Sequence, residues 1–347
     1  MKGTELRRAA ICTAGALGLS ILFFAPRLWL MQTYLPGTFG WDRAHSFLLQ
    51  CESPFRRDVE VSVLWRQLPP LVCNLLGLRG WAAFTVPWAG AIFATFYVAH
   101  LASRRLSDPR FVLGTTILFA TTAAVLVPVG WLGMNDGWIW IGLLGVAFAE
   151  SQWAVIAACL FCPWVDERFI IGLPLALAVR FSDAPERFHW RTFAPLLGLL
   201  PYTVLRLTIS HYDSTGDRSL DFLKGAFRAV ALTAPWAPIA WWMGLRVAWL
   251  PIYNAVRSRP WLLGGGALTT LLVCLFVATD MSRSTAILSP LLLLGVFQFA
   301  ASRPDLAPRT LLTVGIANLL IPAAHVTFTK FDRIDNLAIE LYRVLHR

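Results

Sequence analysis

The sequence predicts an all-α protein, a polytopic transmembrane helical bundle of about 10–11 spans forming one integral membrane domain over residues 1–347. Three observations carry that expectation. Apolar runs of 18 residues or more recur from end to end, the length a helix needs to cross a bilayer. Charged residues make up only 14% of the chain against 57% apolar, with a mean hydropathy of +0.60. Arg and Lys fall at the ends of the apolar runs, as anchors to the headgroup layer do. The net charge of +10 therefore reads as membrane-surface charge, and without a basic stripe or an aromatic-interleaved groove it excludes nucleic acid as a partner.

Taken in order, the first run covers residues 10–31 behind Lys2, Arg7 and Arg8. Arg27 interrupts it and no small-x-small cleavage site follows, so it reads as an uncleaved span with a cytoplasmic N-terminus. Residues 32–80 then form the longest polar segment, an outer loop. Further spans are expected over 81–100, 111–132, 137–150, 151–165, 169–181, 191–210, 225–250, 261–279, 285–302 and 310–328. Between 152 and 181 the run holds Pro163, Asp166, Glu167, Arg168 and Pro174. One tilted span would bury three ionisable groups at mid-bilayer, whereas two short helices meeting at Trp164–Arg168 place them at a surface, and the hairpin is the preferred reading. Ile334, Leu337, Leu341 and Leu345 recur at helical spacing, which predicts a helix lying at the interface within 332–347. The six cysteines contain no CxxC pair, and Cys51 and Cys73 share the outer loop, where an oxidising compartment would let them bridge.

The acidic residues are the most informative class. They sit in the short gaps between apolar runs: Asp42, Glu52, Asp58 and Glu60; Asp136; Asp166 and Glu167; Asp213, Asp217 and Asp221; Asp280. An unpaired carboxylate beside lipid costs several kcal/mol, so their placement points to a shared polar site. With the hairpin, Asp42, Asp136, Asp166, Glu167, Asp213, Asp280 and Arg283 all fall on the outer face. The physical null for each is structural: Asp136 as the N-cap of a helix starting at Gly137, Asp166–Arg168 as an ion pair, Asp280 and Arg283 as partners one helical turn apart.

The first loop reads Phe39-Gly40-Trp41-Asp42-Arg43-Ala44-His45, then Arg66-Gln67-Leu68-Pro69-Pro70-Leu71, and the next gap runs from Pro128 through Asn135-Asp136-Gly137 into Trp138. Over residues 1–150 this layout resembles the GT-C glycosyltransferases, membrane enzymes that take sugars from polyprenyl-phosphate donors. It departs from them where their commoner Asp-Glu pair is Asp42-Arg43. The resemblance implies a bacterial inner-membrane location, a lipid-linked sugar donor, contact with membrane lipids, and a site on the extracytoplasmic face serving envelope assembly.

Sugar transfer from a phosphate carrier needs a carboxylate to take the acceptor proton and cations, or a divalent metal, to hold the leaving phosphate. Asp42, Asp136, Asp166 and Glu167 are the candidate catalytic carboxylates. Arg43, Arg168, Asp280, Arg283 and Trp41 are candidates for substrate binding, with Arg56 and Arg57 as further phosphate ligands. A polymerase, a transporter or flippase of lipid-linked saccharides, and a non-catalytic assembly subunit are the rival readings. A flippase would carry mid-span charges and a repeat between halves.

Overall fold

The computed structural model describes residues 3–28, 42–56, 58–59, 63–184, 194–212, 230–277, 280–327 and 330–346. These are overwhelmingly helical. Helix α1 (Gly3–Phe23) is followed by α2 (Asp42–Glu52) and α3 (Leu68–Leu75), whose first turn holds Pro69 and Pro70. Proline is tolerated there because a first-turn N–H has no intrahelical acceptor. Asn74 donates through Nδ2 to the carbonyls of Cys51 and Glu52 at 2.9 Å and fastens α3 to the end of α2. Cys51 and Cys73 lie against each other beneath this joint as free, fully buried thiols.

The bundle continues with α4 (Thr85–Arg105), α5 (Pro109–Ala120), α6 (Ala123–Gly130), α7 (Asp136–Phe148), α8 (Gln152–Phe161), α9 (Arg168–Asp183) and α10 (Leu200–Tyr212). It is completed by α11 (Ala237–Leu245), α12 (Trp249–Ser258), α13 (Gly265–Val277), the single turn α14 (Met281–Ser284), α15 (Ser289–Ser302) and α16 (Ala307–Leu320). A two-stranded antiparallel ribbon, β1 (Ala323–Thr327) with β2 (Lys330–Ile334), pairs His325 with Asp332, and the amphipathic α17 (Leu337–Leu345) ends the described chain.

Among the described residues three stretches are long and apolar enough to cross a membrane, Gly3–Phe23, Gly80–Arg105 and Met281–Ser302, and the bent pair α5–α6 makes four if counted as one. Helix α7 has 13 residues and α8 only 10, about 20 Å and 15 Å of rise against a hydrocarbon core of about 30 Å. Length and composition therefore show fewer crossings than the 10–11 expected, and an apolar run alone does not separate a span from a buried helix, which is apolar all round as well.

Two breaks were not expected. Helices α5 and α6 meet at a 55° bend, where the Thr121 hydroxyl bonds back to the Ile117 carbonyl at 2.8 Å and accepts from Asn318 Nδ2 at 2.8 Å. The run expected over 225–250 stops at Leu245, because Arg246 adopts φ +51° and turns the chain into α12. The helix at the C-terminus starts at Leu337, later than the periodicity implied, since residues 330–334 pair with β1 instead.

The 152–181 stretch forms two helices, as the hairpin reading expected. Cys162, just past α8, has its thiol 3.8 Å from the Trp138 carbonyl near the start of α7, so α8 runs back along α7. Helix α9 then returns parallel to α7, with Arg180 donating to the Val146 and Ala149 carbonyls at 3.0 and 2.8 Å. Glycines permit the close approaches: a Cβ on Gly137 would lie 2.2 Å from the Gly90 carbonyl carbon of α4, and one on Gly114 of α5 would lie 2.4 Å from the Leu312 amide nitrogen of α16. One end of the bundle carries the Arg104–Glu150 and Arg105–Asp183 ion pairs, both at 2.5 Å. The other gathers the starts of α7, α9 and α14.

Candidate functional site: a buried charge network beside an apolar groove

Helices α7 and α9 are parallel neighbours, so their first residues share one end of the bundle, and α14 packs into the same end. This brings Asp136, Arg168 and Arg283 together from three remote parts of the chain. Asp136 does not cap its helix. It is buried, and its oxygens accept from Arg168 Nη2 at 2.7 Å, from Arg283 Nη2 at 2.5 Å, and from Arg283 Nε. Asp166, also buried, accepts from Arg168 Nε at 2.9 Å, Arg168 Nη2 at 2.7 Å and the Arg168 amide at 3.0 Å. Arg66, just before α3, reaches the same carboxylate at 3.1 Å and Arg283 approaches at 3.6 Å.

Asp280 extends the network. It caps the single turn α14, lies 3.4 Å from Arg283 Nη1 and 3.5 Å from His325 Nδ1 on β1. Ser282 Oγ sits 3.1 Å from that same Nδ1 and accepts the Val326 amide at 2.8 Å. Because Asp280 and Ser282 address one ring nitrogen, they cannot act as a nucleophile–base–acid relay, which needs both nitrogens. Three aspartates face three arginines, so the network is charge-balanced. Burial alone would push the Asp166 carboxyl up, but Arg168 first, then Arg66 and Arg283, hold it well below the usual carboxylate range.

The predicted residues thus divide. Asp136, Asp166, Arg168, Asp280 and Arg283 converge, as a shared site requires. Their expected setting is corrected: they do not line an open cavity but fill a closed ion network, because guanidinium groups occupy the space a substrate would take. Glu167 turns outward, 3.5 Å from Arg206, and both side chains are over a third exposed. Arg43 contacts the Met134 sulfur at 3.7 Å. That places the start of α2 on the Gly133–Met134 turn, where a Cβ on Gly133 would touch the Ala44 Cα at 3.3 Å. Trp41 and the Asp42 side chain lie outside the described residues, as do Arg57, Asp213, Asp217 and Asp221. Arg56 is taken by Asp58 at 2.5–2.7 Å at the surface.

Sequence reasoning missed Arg66, Arg206 and His325. Arg66 sits between Trp65 and Gln67 immediately before the Pro-Pro helix start, a placement that signals a fixed side chain. His325 carried no signal, since its strand was read as part of a span. No group of three His, Cys, Asp or Glu side chains among the described residues is arranged to hold a metal ion. The carboxylate oxygens at this end are directed at arginines instead.

Two adjoining apolar cavities of about 510 and 670 Å³ share Leu68 and Phe161 as walls and form one groove beside the network. Trp65 and Trp164 line the first, and Val165, next to Asp166, lines the second. The fold and this site define a helical protein with apolar helices that fit a membrane and a polar centre at one end. No protein-family model, curated protein or solved structure matches the chain.

Proposed function

We propose that the protein is an integral membrane glycosyltransferase of GT-C type that moves a sugar from a polyprenyl-phosphate donor to an envelope acceptor at the extracytoplasmic face of a bacterial inner membrane. The single observation that supports it most is the meeting, at one end of the bundle, of the dispersed acidic gaps, their arginines and an apolar groove wide enough for a lipid chain. Further spans beyond the long helices belong to this reading, with the short helices crossing as tilted or re-entrant pieces.

In this reaction the acceptor oxygen bonds to the anomeric carbon while the bond from that carbon to the phosphate oxygen breaks. The phosphate leaves with the electron pair, and the acceptor proton passes to a carboxylate. That carboxylate needs a free oxygen and access, which Asp136 and Asp166 lack. Glu167 is exposed and loosely paired, and with Asp42 it is assigned the proton; Asp136 and Asp166 are assigned to positioning the arginines. A second reading, a non-catalytic assembly subunit, draws support from the complete neutralisation of the buried aspartates, which also describes a structural brace.

The test is transfer from a lipid-linked sugar by the purified protein. Glu167→Gln and Asp42→Asn should each lower the rate about 10²- to 10⁴-fold while the melting temperature stays near that of the parent. Full activity in both variants, or no transfer with any lipid-linked sugar, would favour the subunit.

A further inference from the structure

We infer that Arg66 and Arg206 form the headgroup site for a single-chain lipid phosphate whose hydrocarbon chain lies in the groove shared by the two cavities. The inference rests on the reading above for the lipid's role as donor, and deepens it by placing that lipid on named residues.

The groove is walled almost wholly by apolar side chains, and its rim is apolar too: Phe55 and Phe161 are 67% and 50% exposed. Such a rim is stable against hydrocarbon and unfavourable against water. No charged side chain lines either cavity among the described residues; charge reaches the first through Arg206, which stacks over Trp65 in its wall. An apolar trough with a cation held against its wall fits one chain with one headgroup.

The arginines differ in what they have left to donate. Arg168 and Arg283 direct several donors into buried aspartates, and their loss would leave those charges uncompensated. Arg66 meets Asp166 through Nη2 at 3.1 Å, while its buried Nε has no hydrogen-bond partner among the described residues. Arg206 stacks over the Trp65 ring at 4.3 Å and meets Glu167 only at 3.5 Å. Stacking fixes the plane of the guanidinium while leaving its edge free for paired contacts to phosphate oxygens. Tyr202, edge-on to Trp164 at 5.0 Å, sets its buried hydroxyl toward Glu167. Binding a phosphate here would compete with Glu167 for Arg206 and so free that carboxylate as the donor arrives.

The experiment measures binding of geranylgeranyl phosphate to the full-length protein in detergent by native mass spectrometry. Geranylgeraniol, inorganic phosphate and dioleoyl phosphatidic acid are run in parallel. The phosphate lipid should bind, the alcohol more weakly, and inorganic phosphate not at all at the same concentration. Arg206→Gln, an exposed change that leaves the buried network alone, should weaken the phosphate lipid about tenfold and leave the alcohol unchanged. Leu71→Trp, which fills the groove, should weaken both; Arg66→Gln should resemble Arg206→Gln in any preparation that keeps the parental melting temperature. Unchanged affinity in both Arg206→Gln and Leu71→Trp would overturn the site, as would equal competition by the two-chain phosphatidic acid. Lipid binding that follows the expected pattern without sugar transfer would keep the site and discard the transferase. Transfer indifferent to Arg206→Gln and Leu71→Trp would discard the site alone.

Discussion

At the scale of single residues, position in the charge network decides what a substitution does. Asp136 is the hub, since Arg168 and Arg283 both end on it. Asp136→Asn keeps the shape and leaves two buried guanidinium groups short of a counter-charge, so unfolding free energy should fall by about 3–5 kcal/mol. Thermal denaturation in one detergent measures it, and a loss under about 1 kcal/mol would mean that the arginines find other partners. The network also has a pH signature. The Asp166 carboxyl is held below its ordinary value of about 3.9, so its stabilising contribution is complete above that value and lost as pH falls through the lower folded value. Melting temperature should therefore hold steady from neutral pH to about 5 and drop only below about 4. A decline beginning near pH 6 would place the sensitivity elsewhere. Arg246 is the contrary case, fully buried with no hydrogen-bond partner for its side-chain nitrogens among the described residues and with the Phe24 ring face at 4.8 Å. A cation–π contact contributes about 2 kcal/mol at most, less than burying a lone charge costs. Arg246→Met should therefore leave stability unchanged or raise it, and a marked loss of stability would show that the guanidinium has a partner in the folded protein.

At the scale of elements, the helices are placed by what lies between them. Helices α5 and α16 touch backbone to backbone at Gly114 and Gly315, where an added Cβ on Gly315 would lie 2.7 Å from the Gly114 carbonyl oxygen. Gly114→Ala should separate the pair and lower stability by about 1–3 kcal/mol, with Gly18→Ala, where a Cβ meets nothing within 4 Å, as the neutral control. Equal effects of the two would deny the close contact. Several elements were legible in the chain. The Pro-Pro start of α3, the break between α8 and α9 at the charged triplet, and the amphipathic α17 follow from local chemistry. The bend at Thr121 and the turn at Arg246 were not legible. Each depends on a side chain from a distant element, Asn318 at the first and the packing around Gly244, Ser282 and Thr285 at the second.

At the scale of the whole molecule, the described helices have two ends of different character. The network and groove occupy one, and the Arg104–Glu150 and Arg105–Asp183 pairs the other. If the bundle sits across a bilayer, a Cys placed at Glu167 and one placed at Phe55, in a Cys-free background, should be modified by an impermeant reagent from the same side. A Cys at Asp305, between α15 and α16, should be modified from the opposite side. Labelling of all three from one side would mean that the bundle lies in a single leaflet.

The sequence by itself determined the helical class and the apolar surface, because both follow from composition and period, which are local. It also pointed to Asp136, Asp166 and Asp280 as belonging together, since carboxylates are too costly beside lipid to be scattered without partners. Tertiary structure alone decided what those acids do. Which arginine meets which aspartate depends on the parallel run of α7 and α9 and on the reach of Arg66 from the segment before α3, and no spacing along the chain encodes those contacts. It likewise set the length of each helix, which the apolar runs did not show. A helix sheltered by its neighbours and a helix bathed in lipid bury the same apolar side chains, and only the packed bundle tells them apart.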